Sequence, residues 1–135
     1  MKKYDNYASH LSVLSRAKDE DLSNEFVVSG IIDKFFIQFE LGWKLFQRLL
    51  RYEGNPVGRS GSPRDILKEA YRTFAFLDEE RWLSMLEERN TVVHIYDKET
   101  ADRLVRRIIK DYIPEFARIQ EAIAERYGES LDGMS

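Results

Sequence analysis

Cysteine is absent from this chain, which removes disulfides, thiolate metal sites and thiol nucleophiles together and suits a reducing compartment. Histidine occurs only at His10 and His94, so proton transfer by an imidazole near neutral pH has two candidates. No apolar run has the length of a signal peptide or a membrane span. The N-terminal stretch MKKYDNYASHLSVL carries two lysines without such a run, and the expectation is a soluble, cytoplasmic protein with no membrane partner. A strong charge of either sign is also missing. With a net charge of −3 and a pI near 5.5, the field of the whole molecule does not draw in nucleic acid, and any RNA contact must be local.

What is present is apolar material in quantity. Over 135 residues, 43% are hydrophobic and 13% aromatic, enough for one packed core. Proline is scarce, glycine is concentrated in two places, and apolar residues repeat at helical spacing nearly throughout, so the expected class is all-α without strands. A single domain is expected over residues 1–127, with residues 128–135 as a frayed, flexible tail.

Tyr4, Tyr7, Leu11 and Leu14 form the stripe of a first helix over about residues 3–17, ended by Asp19, Glu20 and Asp21. A broader apolar set from Phe26 to Leu50 predicts a second helix of about residues 24–52, roughly 40 Å long at about 1.5 Å per residue. It is too apolar for one covered face, which predicts burial by its own chain on one side and by a partner on the other. Within it, Glu40 precedes Lys44 by one turn and lies beside Trp43. It reads as a structural residue, either in an intrahelical ion pair or as a buried hydrogen-bonding group.

Residues 54–61 read as a loop. Ser62, Pro63 and Asp65 then supply an N-cap, a first helical position and a capping-box partner for a third helix ending near Thr73. Asp78 caps a fourth helix through Trp82 and Leu86 to Arg89, and Asp97 caps a fifth through Leu104, Ile108 and Phe116. Pro114 predicts a kink or break in that fifth helix, because it removes the amide bond to the Lys110 carbonyl.

Residues 89–96, RNTVVHIY, hold the most suggestive chemistry. Arg89, His94 and Tyr96 provide a cation, a proton carrier and a hydroxyl. RNA cleavage without a metal needs a base for the 2′-hydroxyl proton and a cation for the charge developing on phosphorus, roles that His94 and Arg89 suit. Asn90 could orient the phosphate or the imidazole. On a continuous helix, however, His94 points about 140° away from Arg89. Either the helix ends near Val93 or a second copy of the chain completes the site. An arginine and a histidine near a helix end also serve simply to satisfy the last carbonyls. Arg103, Arg106, Arg107 and Lys110 follow on one side of the fifth helix, either as a phosphate-tracking stripe or as an ordinary solvated face. His10, with no charged neighbour at motif-like spacing, reads as a surface or helix-packing residue.

Four segments together carry a family resemblance: FELGWK at 39–44, SPRDILKEAY at 62–71, WLSMLEERN at 82–90 and VHIYD at 93–97. Over about residues 4–125 the chain resembles the HepT-like, nucleotidyltransferase substrate-binding branch of the HEPN superfamily. The resemblance implies an up-and-down bundle of four to five helices that forms a homodimer with its motifs facing across a cleft. It further implies that Arg89 and His94 are the ribonuclease pair, that Asn90 is the accompanying polar residue, and that Tyr96 receives AMP from a cognate minimal nucleotidyltransferase. That partner would act as the antitoxin, in a heterotetramer or larger complex, and would itself need magnesium with ATP. No cofactor or metal is implied for this chain. The alternative is a non-catalytic subunit that presents a substrate to the nucleotidyltransferase.

Overall fold

The computed structural model describes residues 1–91 and 97–134. Among them there is no strand, and seven α-helical segments form an all-α bundle: α1 (Lys2–Leu14), α2 (Glu25–Tyr52), α3 (Val57–Ser60), α4 (Pro63–Thr73), α5 (Glu79–Thr91), α6 (Lys98–Arg107) and α7 (Ile113–Tyr127). The count exceeds the four to five expected for two local reasons. The loop after α2 winds into one helical turn, α3, and the fifth helix is divided by a π-turn over Ile108–Tyr112. That wide turn lies immediately before Pro114, which has no N–H to return to the Lys110 carbonyl. Widening the helix there accommodates the ring without breaking the chain's course.

The helix starts follow side-chain capping. Asn24 accepts from the Phe26 amide at 2.9 Å, Ser62 from Asp65 at 3.2 Å, Asp78 from Arg81 at 3.1 Å and Asp97 from Thr100 at 2.7 Å. Each bond satisfies a donor that the first helical turn leaves free. Asp97 is held below the usual carboxylate range chiefly by that Thr100 amide.

Helix α2 is the axis of the bundle and packs on α1, α3, α4, α5 and α6. Its inner face buries Phe35, Phe39, Phe46, Leu49 and Leu50 completely, each such side chain contributing on the order of 1.5–3 kcal/mol. Gly42 permits the closest approach: a Cβ there would lie 2.5 Å from Cη2 of Trp82. The indole therefore lies against the α2 backbone, edge-on to Phe46 at 4.8 Å and to Phe116 at 5.4 Å between ring centroids. The opposite face of α2 exposes Phe26 and Ile37, at 84% and 49%.

His10 packs between helices, with Nδ1 2.6 Å from Oε1 of the buried Gln38, whose Nε2 donates to the Tyr7 carbonyl at 3.1 Å. The C-terminal segment differs from the frayed tail expected. Residues Gly128–Leu131 form a 3₁₀ turn, and Leu131 and Met134 are buried in the core. These two apolar residues, three apart, cover the end of the bundle. Among the described residues no helix is long and apolar enough to cross a membrane.

Candidate functional site

Helix α5 carries two of the candidate residues on different faces. Arg89 and Asn90 are consecutive and so diverge by about 100° around the axis. Arg89 turns toward α2, where its Nε lies 2.8 Å from Oε1 of Glu40. Both side chains are about one-third exposed, 36% for Arg89 and 31% for Glu40. The second oxygen of Glu40 accepts from the Trp43 indole at 3.0 Å. One carboxylate thus fixes the guanidinium by its inner nitrogen, and among the described residues the terminal nitrogens of Arg89 make no hydrogen bond.

Of the two readings of Glu40, the hydrogen-bonding group beside Trp43 is the one observed, part-exposed and not buried, and the intrahelical ion pair is corrected: its partner is Arg89 and not Lys44. Lys44 instead sits over the Trp43 ring at 5.8 Å. The signal was a carboxylate in an apolar stretch next to a tryptophan. Its link to Arg89 spans separate helices, which periodicity does not record.

Asn90 opens onto a groove of about 660 Å³ along α5. Leu83, Leu86 and Ser84 of α5 line it, with Arg64 from the first turn of α4 on one side and Arg107 from the last turn of α6 on the other. Ser84 Oγ lies 2.9 Å from the hydroxyl of Tyr112, which ties α5 to the π-turn. Burial raises the Tyr112 hydroxyl above its ordinary value, opposed by the Ser84 bond.

The basic stripe divides. Arg107 stacks over the Tyr112 ring at 5.1 Å and approaches Asp111 at 3.8 Å. Arg103 and Arg107 both act on Glu88 of α5, whose carboxyl is raised first by burial, while the two arginines pull it down and Glu87 pushes it up. Arg106 and Lys110 are exposed, and among the described residues neither makes an ion pair. The structure thus brings Asn90 together with Arg107 and Arg89 together with Glu40, whereas Arg106 and Lys110 stand apart from the groove. His94 and Tyr96 lie outside the described residues. Among those described, no three His, Cys, Asp or Glu side chains gather as a metal site.

Residues 2–125 match the family described as nucleotidyltransferase substrate binding protein like. A protein from Haemophilus influenzae named probable ribonuclease HepT is 30% identical over 103 residues, covering 74% of this chain and 69% of its own. The chain belongs to this HepT-like, nucleotidyltransferase substrate-binding family of the HEPN superfamily.

Proposed function

We propose that this protein is a HEPN-type toxin: a metal-independent endoribonuclease whose Arg89, Asn90 and His94 act at a homodimer cleft and whose Tyr96 is the control point. The observation that carries the reading is the presentation of Arg89. Glu40 holds its Nε at 2.8 Å, and the remaining guanidinium edge has the planar, forked geometry that suits two oxygens of one phosphate. The name borne by the Haemophilus influenzae relative supports the same reaction class.

In the proposed reaction His94 takes the proton of the RNA 2′-hydroxyl, and that oxygen attacks the adjacent phosphorus. The bond from phosphorus to the 5′-oxygen breaks, and the 5′-oxygen leaves with a proton returned by an imidazolium. A 2′,3′-cyclic phosphate and a 5′-hydroxyl result. Arg89 stabilises the negative charge that grows on the phosphoryl oxygens, and Asn90 orients the phosphate. A second chain brings the second motif, which supplies the acid opposite the base.

Control follows from charge. A cognate minimal nucleotidyltransferase transfers AMP from ATP to Tyr96: the phenol oxygen bonds to the α-phosphorus and pyrophosphate departs. The new phosphate then competes with RNA for Arg89. Under a second reading, favoured by the family description, the chain presents a substrate to that enzyme without cutting RNA.

Intact-mass measurement after incubation with the neighbouring nucleotidyltransferase, ATP and magnesium, with mapping of residues 89–98, tests the control step. Added AMP on Tyr96, together with RNA cleavage lost in His94→Ala but kept in Tyr96→Phe, is the expected result. Undiminished cleavage by His94→Ala would sink the ribonuclease reading. A stable complex with no added mass would favour the binding subunit.

A further inference from the structure

The groove along α5 has a chemistry that the motif alone does not require. Its α5 face is built from residues 80, 83, 84, 87 and 90, spaced by three and four, so one side of one helix forms the floor. Leu83, part-exposed, supplies most of the apolar surface, and the largely buried Leu86 also lines the groove. Arg64 and Arg107 stand on separate helices at the two sides, and Glu80 and Glu87 add two carboxylates. Among the described residues the side chains of Arg64, Glu80 and Glu87 make no hydrogen bond or ion pair. A concave surface of about 660 Å³ lies within the range of about 300–1,000 Å³ typical of small-molecule sites. Of the four charges on its rim, Arg107 already meets Asp111 at 3.8 Å and the Tyr112 ring at 5.1 Å, whereas Arg64, Glu80 and Glu87 have no partner among the described residues.

Those charges narrow the ligand. Two arginines and two glutamates cancel, so the groove has no field to attract a long polyanion. It suits a unit carrying one phosphate and a group rich in hydrogen-bond donors. A guanidinium takes the phosphate. A carboxylate accepts from the exocyclic amino group of a base, a group that adenine, cytosine and guanine possess and uracil lacks. Leucine side chains cover the base.

We propose that the groove between α4, α5 and α6 is a nucleotide subsite for one nucleoside monophosphate unit with an amino-bearing base. Its phosphate sits on Arg64 and Arg107, its amino group on Glu80 or Glu87, and its base on Leu83 and Leu86. The proposal rests on the ribonuclease reading above, because Asn90 joins the groove to Arg89. Asn90 lines the groove and directly follows Arg89, about 100° around the helix, so a nucleotide in the groove lies on the face next to the one that carries Arg89. The unit comes either from RNA or from the AMP that the partner adds; both present the same chemistry.

The probes are fluorescein-labelled pentamers of 2′-O-methyl adenosine and 2′-O-methyl uridine, which resist cleavage, read by anisotropy, and free AMP, read by amide shifts in residues 80–90. The adenosine pentamer should bind at least about fivefold tighter than the uridine one. Arg64→Gln should weaken the former about fivefold, whereas Lys68→Gln, one turn along α4 and outside the groove, should change it less than twofold. This pattern assigns the groove to RNA. If Arg64→Gln leaves the pentamer unaffected but abolishes the AMP-induced shifts, the occupant is the transferred AMP. Equal effects of the two variants, or no effect of Arg64→Gln on either probe, would overturn the proposal. Cleavage does not enter these readouts, so the ribonuclease reading stands or falls separately with His94→Ala.

Discussion

Glu40 and Glu115 have the same two kinds of partner, an indole N–H and an arginine, at different depths in the bundle. Glu115 on α7 is buried, with 3% of its side chain exposed. It accepts from the Trp82 indole at 3.1 Å and the Asp78 amide at 3.3 Å, and from Nε and Nη2 of Arg118 at 2.7–2.9 Å. Glu40 accepts from Trp43 and meets Arg89 at Nε, with 31% of its side chain exposed. The buried carboxylate is saturated, and its network joins α5 to α7. The part-exposed one meets its arginine at Nε, and among the described residues the terminal nitrogens of Arg89 make no hydrogen bond. A carboxylate that uses up its cation holds a fold together; one that engages a single nitrogen positions the cation for something else.

The comparison is most severely tested at the buried end. Glu115→Ala leaves the Trp82 indole, the Asp78 amide and the Arg118 guanidinium without their acceptor. It should cost about 3–5 kcal/mol, lowering the melting temperature by roughly 10 °C or more in a scanning calorimeter. Glu40→Gln should do the reverse. Its pair is part-exposed, so stability should change by less than about 1 kcal/mol, while kcat for RNA cleavage falls about tenfold, equivalent to roughly 1.4 kcal/mol of transition-state stabilisation. KM should move little, because the loss lies in the geometry of Arg89 as charge develops. A large loss of stability in Glu40→Gln with kcat intact would erase the distinction and make both glutamates structural.

Much of the fold was legible because local rules wrote it. Ser62, Asp78 and Asp97 each cap the helix expected of them, and Thr73 ends α4 at the expected residue. Pro114 marked the irregularity but not its form, since a π-turn and a kink relieve the same missing bond. The candidate site was legible only in part. Arg89 and Asn90 were found as a string, yet their environments were not, because Glu40 is 49 positions before Arg89 and Arg64 reaches the groove from another helix. Contacts between helices depend on rotation about each axis, which no single-helix periodicity fixes. Leu131 and Met134 were missed for a related reason: glycine and polar neighbours make the segment read as tail, while burial depends on the bundle end they cover.

Glu88 offers the finest test, since it is a third carboxylate near arginines, one residue before Arg89 on α5, and has no indole partner. Burial raises its pKa more than Arg103 and Arg107 lower it. The folded value lies above the ordinary 4.5, so protonation favours the folded state: that contribution is complete below pH 4.5 and is lost as pH rises through the folded value. Glu88→Gln stays uncharged throughout. Its melting temperature should therefore exceed the parent's by roughly 1–2 °C at pH 7, corresponding to less than about 1 kcal/mol after screening, and the difference should vanish at pH 4. The sign carries the functional content. If Glu88→Gln is instead less stable at pH 7, the attraction of Arg103 and Arg107 for Glu88 outweighs its burial, and these arginines are committed to the fold. If it is more stable, the fold does not depend on that pairing, and both cations remain available to a phosphate, as Arg89 is beside Glu40.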